Sequence, residues 1–109
     1  MQGKSNKRKA RTKAQQDWLE AVVSLGCAEC GRPAQAHHMY GETAQVKIDL
    51  VSTNIGHWAL NGLCDSHHKA IHKDPERRQK EKRHFAKLRK ILPLHFGQDI
   101  YWAIMEYSR

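Results

Sequence analysis

No apolar run in this sequence approaches the ~20 residues needed to span a bilayer, so no transmembrane segment and no membrane partner is expected. The opening residues Met1-Gln2-Gly3-Lys4 lead into charge rather than into a signal-peptide core, which points to a cytoplasmic location. Cysteine is scarce: three residues cannot pair off completely. Cys27-x2-Cys30 followed much later by Cys64 does not read as a secreted disulfide framework, and a reducing compartment with a bound metal is the better expectation. The 109 residues allow one domain plus tails, and neither an internal repeat nor a second domain is visible.

Acidic residues are also few: 19 Lys and Arg face 11 Asp and Glu, for a formal charge of +8. The excess is concentrated. Lys4, Lys7, Arg8, Lys9, Arg11 and Lys13 precede the first acid, and residues 76–90 carry eight bases against Glu76 and Glu81. Clustered cations displace condensed counterions from phosphate, so a polyanion is the expected partner. Nucleic acid is favoured over a membrane surface because no strongly apolar helix face accompanies the bases. Residues 1–10 have almost nothing to bury and read as a basic flexible arm, leaving 11–109 as the folded domain.

Ala14, Trp18, Leu19, Val22 and Leu25 recur at helical spacing and predict an amphipathic helix over about 11–25, ended by Gly26. Residues 39–57 lack that period and predict a loop with at most short strands, of a length that in a small domain is usually functional. After Cys64 the helical pattern returns, with Asp65 or Ser66 as the expected cap. Asp74-Pro75-Glu76 is a second start signal. The following helix shows an apolar stripe of Phe85, Leu88, Ile91 and Leu92 and stops at Pro93. A short final helix is predicted over about 98–107. The C-terminal cluster Ile100, Tyr101, Trp102 and Met105 completes the core or makes a dimer patch.

Cys27-Ala28-Glu29-Cys30 is a knuckle that can converge two thiolates on one tetrahedral ion. Cys64-Asp65-Ser66-His67 repeats the spacing with an imidazole in the last place, giving a Cys3His set suited to structural Zn2+. His37 or His68 could replace His67, although the matched spacing favours His67. The 33-residue gap between the halves means that the ion would staple distant pieces, a large contribution in a chain with so little core.

Four further histidines lie near this staple. His68 and His72, four apart on a predicted helix, share a face and can point at one ion. His37 and His38 are adjacent, and on a strand would face opposite sides, so one can be a ligand and the other a base. That division suits metal-assisted phosphodiester hydrolysis, in which a cation neutralises phosphate charge and a neutral imidazole takes a proton from water. His84 and His95 read as surface histidines. Asp49 is either a loop brace, a partner orienting a ligating imidazole, or a solvated turn acid.

Cys27-x2-Cys30, Ala36-His37-His38 and Gly62-Leu63-Cys64-x2-His67-His68-x3-His72 together resemble the HNH, or ββα-metal, endonucleases in their zinc-containing form. Within that superfamily the chain is most similar to the phage Ref-type recombination-enhancement nucleases, which depend on RecA. The resemblance covers about residues 24–75. It implies an α+β fold: a small zinc-stapled ββα-metal (His-Me finger) core at 24–75 with flanking helices, the C-terminal ones over 75–109. It implies a DNA endonuclease with His38 as general base. His37, His68 and His72 would hold a catalytic Mg2+ or Mn2+, and Cys27, Cys30, Cys64 and His67 the zinc. The family's middle asparagine, which braces the loop around the base, has two candidates, Asn61 and Asn54, neither at the usual offset from Cys64. Asn61 joins His38 and His68 as the expected catalytic set.

The resemblance further implies that the ββα element lies against the minor groove or a strained backbone, and that cleavage is directed to DNA engaged by a RecA filament during recombination in a bacterial host. Lys4, Lys7, Arg8, Lys9, Arg11, Lys13, Lys69, Arg78 and Lys82 are the expected DNA contacts. Phosphate contacts of this kind hold DNA without reading its sequence, which predicts weak sequence preference and strong salt dependence. Two other readings compete: a non-catalytic zinc module that binds DNA or a recombination partner, and a nuclease acting on RNA.

Overall fold

Thr12 opens the first helix, α1 (Lys13–Ser24), through a reciprocal capping box: its Oγ1 accepts the Gln15 N–H at 3.1 Å while Gln15 Oε1 accepts the Thr12 N–H at 2.9 Å. The computed structural model describes residues 10–107; the arm cations Lys4, Lys7, Arg8 and Lys9 lie outside them. Trp18 and Val22 form the buried stripe of α1, and Trp18 Nε1 donates to the Trp58 carbonyl at 2.9 Å. Ala14 is exposed and Gln15 takes the inward position. At the end of the helix Gly26 adopts φ +83°, and a Cβ there would stand 2.9 Å from the Gly31 carbonyl oxygen. Only glycine lets the chain fold back so tightly into the Cys27–Cys30 knuckle.

Four short strands follow in two antiparallel pairs. β1 (Gln35–His38) pairs with β4 (Leu60–Leu63), setting His37 opposite Asn61 and His38 opposite Leu60. The stretch between them is not irregular: β2 (Gln45–Ile48) and β3 (Val51–Asn54) make a hairpin. Its turn places Asp49 and Leu50 at φ 50° and 70°, the left-handed pair that a two-residue hairpin turn requires. Asp49 is therefore a turn residue and braces no imidazole. Gly56 lets this excursion close, since a Cβ there would collide with the Gly41 carbonyl.

β4 runs directly into α2 (Asp65–Ile71), and α3 (Arg77–Ile91) and α4 (Gln98–Glu106) complete an α+β fold. The cap of α2 is Cys64, not Asp65 or Ser66, and it makes no side-chain cap bond. Ahead of α3, Asp74 Oδ1 accepts the Glu76 N–H at 2.7 Å, the local bond that the Asp-Pro-Glu signal implies.

The main core gathers Trp18, Met39, Ile55, Leu60, Phe85, Tyr101 and Ile104, with Phe85 and Tyr101 stacked at 5.4 Å. A second cluster of Cys27, Leu63, Cys64 and Ile71 surrounds the knuckle. At about 1.5–3 kcal/mol per buried large side chain, the first cluster carries the fold and the second is too small to hold its end alone. The stripe of α3 differs from expectation. Ile91 is 59% exposed, while Glu81 and His84 join Phe85 and Leu88 on the buried face. Among the described residues no helix is long and apolar enough to cross a membrane.

Candidate functional site

Cys27, Cys30, Cys64 and His67 converge as the sequence spacing predicts. The Cys30 and Cys64 sulfurs are 3.7 Å apart, and His67 Nδ1 stands 3.5 Å from Cys27 Sγ and 3.3 Å from Cys64 Sγ. Tetrahedral zinc, with Zn–S near 2.3 Å and Zn–N near 2.0–2.1 Å, spaces its ligand atoms about 3.7 Å (S···S) and about 3.5 Å (S···N) apart. These three separations are close to those figures, and none of the thiols is in a disulfide. Burial pushes the Cys27 thiol up, but the backbone amides of Cys64, Glu29 and Cys30 outweigh it and bring its pKa down to about 6, which favours the thiolate that a metal needs. The group could hold zinc, and it joins the end of α1 to the β4–α2 junction. His67, not His37 or His68, is its imidazole.

A second group forms where β1 meets α2. One ring nitrogen each of His37, His68 and His72 lies within 4.8 Å of the others. The ring centroids are 5.1 Å apart for His37–His68, 5.5 Å for His37–His72 and 5.1 Å for His68–His72. His37 is buried at the base of the group and His72 is exposed at its rim. Three ring nitrogens gathered in this way are a donor set that could hold a divalent cation with coordination positions left over. Burial, and then the neighbouring charges of His37 and His72, lower the His68 pKa, which keeps its lone pair available for metal.

Behind His37 lies a carboxylate that the sequence reading placed among a run of surface charges. Glu81 is fully buried; its Oε2 accepts from His37 Nε2 at 2.6 Å and from Arg77 Nε at 2.9 Å, and its Oε1 accepts from Arg78 Nη1 at 2.6 Å. Burial raises the Glu81 pKa, but the hydrogen bonds from His37 and Arg77 overcome it and hold the group below the usual carboxylate range. A signal existed: positions 81, 84, 85 and 88 share one face by the i, i+3, i+4, i+7 rule, so an acid and a histidine stand in the apolar stripe. His84 is likewise buried, its Nε2 donating to Glu29 Oε2 at 2.8 Å. It ties α3 to the cysteine knuckle and does not decorate the surface. His95 is exposed.

His38 turns to the other side of β1, with its ring 6.1 Å from that of His57, a buried histidine that the sequence reading did not single out. Burial, reinforced by the charges of His57, Arg11 and His37 and opposed by Glu42, lowers the His38 pKa. Its Nε2 is buried with no hydrogen-bond partner among the described residues. Asn54 ties down the loop beside it, with Nδ2 donating to the Glu42 carbonyl at 2.9 Å and Oδ1 accepting the His57 N–H at 3.2 Å. Asn61, buried in β4, makes no such brace. Its Nδ2 donates to the carbonyls of Leu60 at 3.1 Å and Glu81 at 3.4 Å.

Several expected DNA contacts already have partners. Lys13 pairs with Asp17 and Lys69 with Asp65, both exposed i,i+4 pairs that exchange readily with solvent or phosphate. Arg11 donates to Gln16. Arg78 differs, being only 33% exposed and committed to Glu81 and to the Met39 carbonyl, so its charge is used inside the fold. Lys82 is half-buried and makes no ion pair among the described residues. No protein-family model, curated protein or solved structure matches the chain.

Proposed function

We propose that this protein is a metal-dependent DNA endonuclease of the HNH, or ββα-metal, type. The observation that carries this reading is the meeting of a strand histidine, His37, with two helix histidines, His68 and His72, while the adjacent His38 faces the opposite side of the same strand. The path β1, β4, α2 supplies two antiparallel strands and a helix in the order that the resemblance implies. His37, His68 and His72 would hold Mg2+ or Mn2+, and Cys27, Cys30, Cys64 and His67 would hold zinc. When bound, the divalent ion supplies charge neutralisation at the scissile phosphate and stabilises the departing alkoxide.

The remaining work falls to the chain itself. His38 accepts the proton of the attacking water; its desolvated ring favours the neutral form that can do so. Asn54 holds the segment after His38 in place through Glu42 and His57, which makes it a better brace than Asn61. The exposed Lys13 and Lys69 and the half-buried Lys82 hold the DNA backbone without reading bases. So little sequence reading in a nuclease calls for control from outside. Direction of cleavage to DNA paired by a RecA filament, in phage or bacterial recombination, is the control that the resemblance supplies.

The test is a nicking assay on plasmid DNA with Mg2+ or Mn2+, with and without RecA and a complementary oligonucleotide. Cutting is expected from the wild type and not from His38→Ala. DNA binding with no hydrolysis under any of these conditions would instead identify a zinc-stabilised binding module.

A further inference from the structure

A fully buried carboxylate needs a reason. Replacing a buried ion pair by apolar side chains of similar volume is often neutral or stabilising, and the face of α3 that carries Glu81 also buries His84, Phe85 and Leu88. Glu81 is instead surrounded by three donors: His37 Nε2, Arg77 Nε and Arg78 Nη1. Arg78 is fixed in turn by the Met39 carbonyl at 3.0 Å and by the Tyr40 ring, 4.6 Å below its guanidinium. The first turn of α3 is thereby fastened to the end of β1 at His37 and just beyond His38.

An ionised carboxylate only accepts, so the proton of neutral His37 must sit on Nε2 and the lone pair on Nδ1. The imidazole then has one orientation and one tautomer, and the nitrogen left for a ligand is Nδ1. We infer that Glu81, clasped by Arg77 and Arg78, is a positioning residue that locks His37 as the Nε2–H tautomer and presents its Nδ1 toward His68 and His72. The consequence for a cation rests on the divalent-ion reading of these histidines; the tautomer does not. Carboxylates that hold a ligating imidazole in this way typically change metal affinity about 10–100-fold when removed.

The test uses the full chain loaded with zinc. Long-range proton–nitrogen correlation spectra at pH 8 should show His37 protonated on Nε2 in the wild type. In Glu81→Met, which keeps the volume and removes the acceptor, a mixture of tautomers is expected. Titration with Mn2+ should show about 10–100-fold weaker binding by Glu81→Met, with Glu81→Gln, which keeps an acceptor, in between and zinc content unchanged throughout. Wild-type Mn2+ affinity and an unaltered His37 tautomer in Glu81→Met would reduce the clasp to a structural ion pair and overturn the inference. A wild-type His37 protonated on Nδ1 would overturn it without any variant having to fold. If the wild type shows the expected tautomer but binds no Mn2+, the clasp stands and the nuclease reading falls.

Discussion

His37 and His38 are neighbours in β1 with different surroundings: the ring of His37 packs beside His68 and His72, and that of His38 beside His57. The two-residue period of a strand produces the separation. One imidazole can therefore serve a cation while the next serves a water.

Loss of zinc from the proposed Cys3His site should unfold the protein. Structural zinc contributes an apparent ~10–16 kcal/mol in small domains, comparable to the whole stability of a typical fold at about 5–15 kcal/mol. Among the described residues four make up the buried cluster around the knuckle, too few to compensate. Cys64→Ser, or chelation of the wild type, is expected to abolish the cooperative thermal transition followed by circular dichroism. Elemental analysis should find about one zinc fewer per chain.

Trp18 should be the most sensitive position of the core, since it is fully buried and bonded to the Trp58 carbonyl. Trp18→Ala is expected to cost about 3–5 kcal/mol, and Trp18→Phe, which keeps a smaller aromatic ring and loses the N–H, about 1–3 kcal/mol. Urea unfolding of zinc-loaded protein gives both values; a Trp18→Phe cost near zero would show that the indole N–H contributes nothing.

The two asparagines should separate by phenotype. Asn54 bridges Glu42 and His57 around His38, so Asn54→Ala should lower cleavage at least about 10-fold, at a stability cost of about 1–2 kcal/mol. Asn61→Ala loses bonds to Leu60 and Glu81 and should act through the setting of α3, measured as weaker binding of Mn2+. Comparing cleavage at saturating Mn2+ distinguishes them: recovery is expected for Asn61→Ala alone.

Arg78 and Lys82 lie four apart in α3 and should behave differently. Lys82→Ala should weaken DNA binding and reduce the slope of log affinity against log salt by about 1. Arg78→Ala leaves Glu81 under-compensated and should lower the thermal midpoint of the free protein. Fluorescence anisotropy over a salt series, beside thermal melts, reads both effects.

Much of this was legible in the chain. The Cys3His set, the partnership of His68 with His72 and the four helices follow from spacing and caps, because a two-residue knuckle and an i,i+4 pair are local geometry. What was hidden is long-range. Glu81 is 44 positions from His37, and in a run of bases an acid reads as surface charge unless its place on the buried face is counted. The hairpin at 45–54 was obscured because its turn uses Asp49 and Leu50 where glycine or asparagine would have announced the left-handed pair. His57 lies on no periodic face, so only the closure of the chain around Gly56 brings it to His38.

The most direct measurement is the nicking of supercoiled plasmid by zinc-loaded wild type and His38→Ala side by side, in Mg2+ and Mn2+, with and without RecA and a complementary oligonucleotide. The wild type should cut in at least one of these conditions, and His38→Ala should not, while keeping its zinc and its DNA affinity. Undiminished cutting by His38→Ala, or no cutting by the wild type in any of them, would contradict the account.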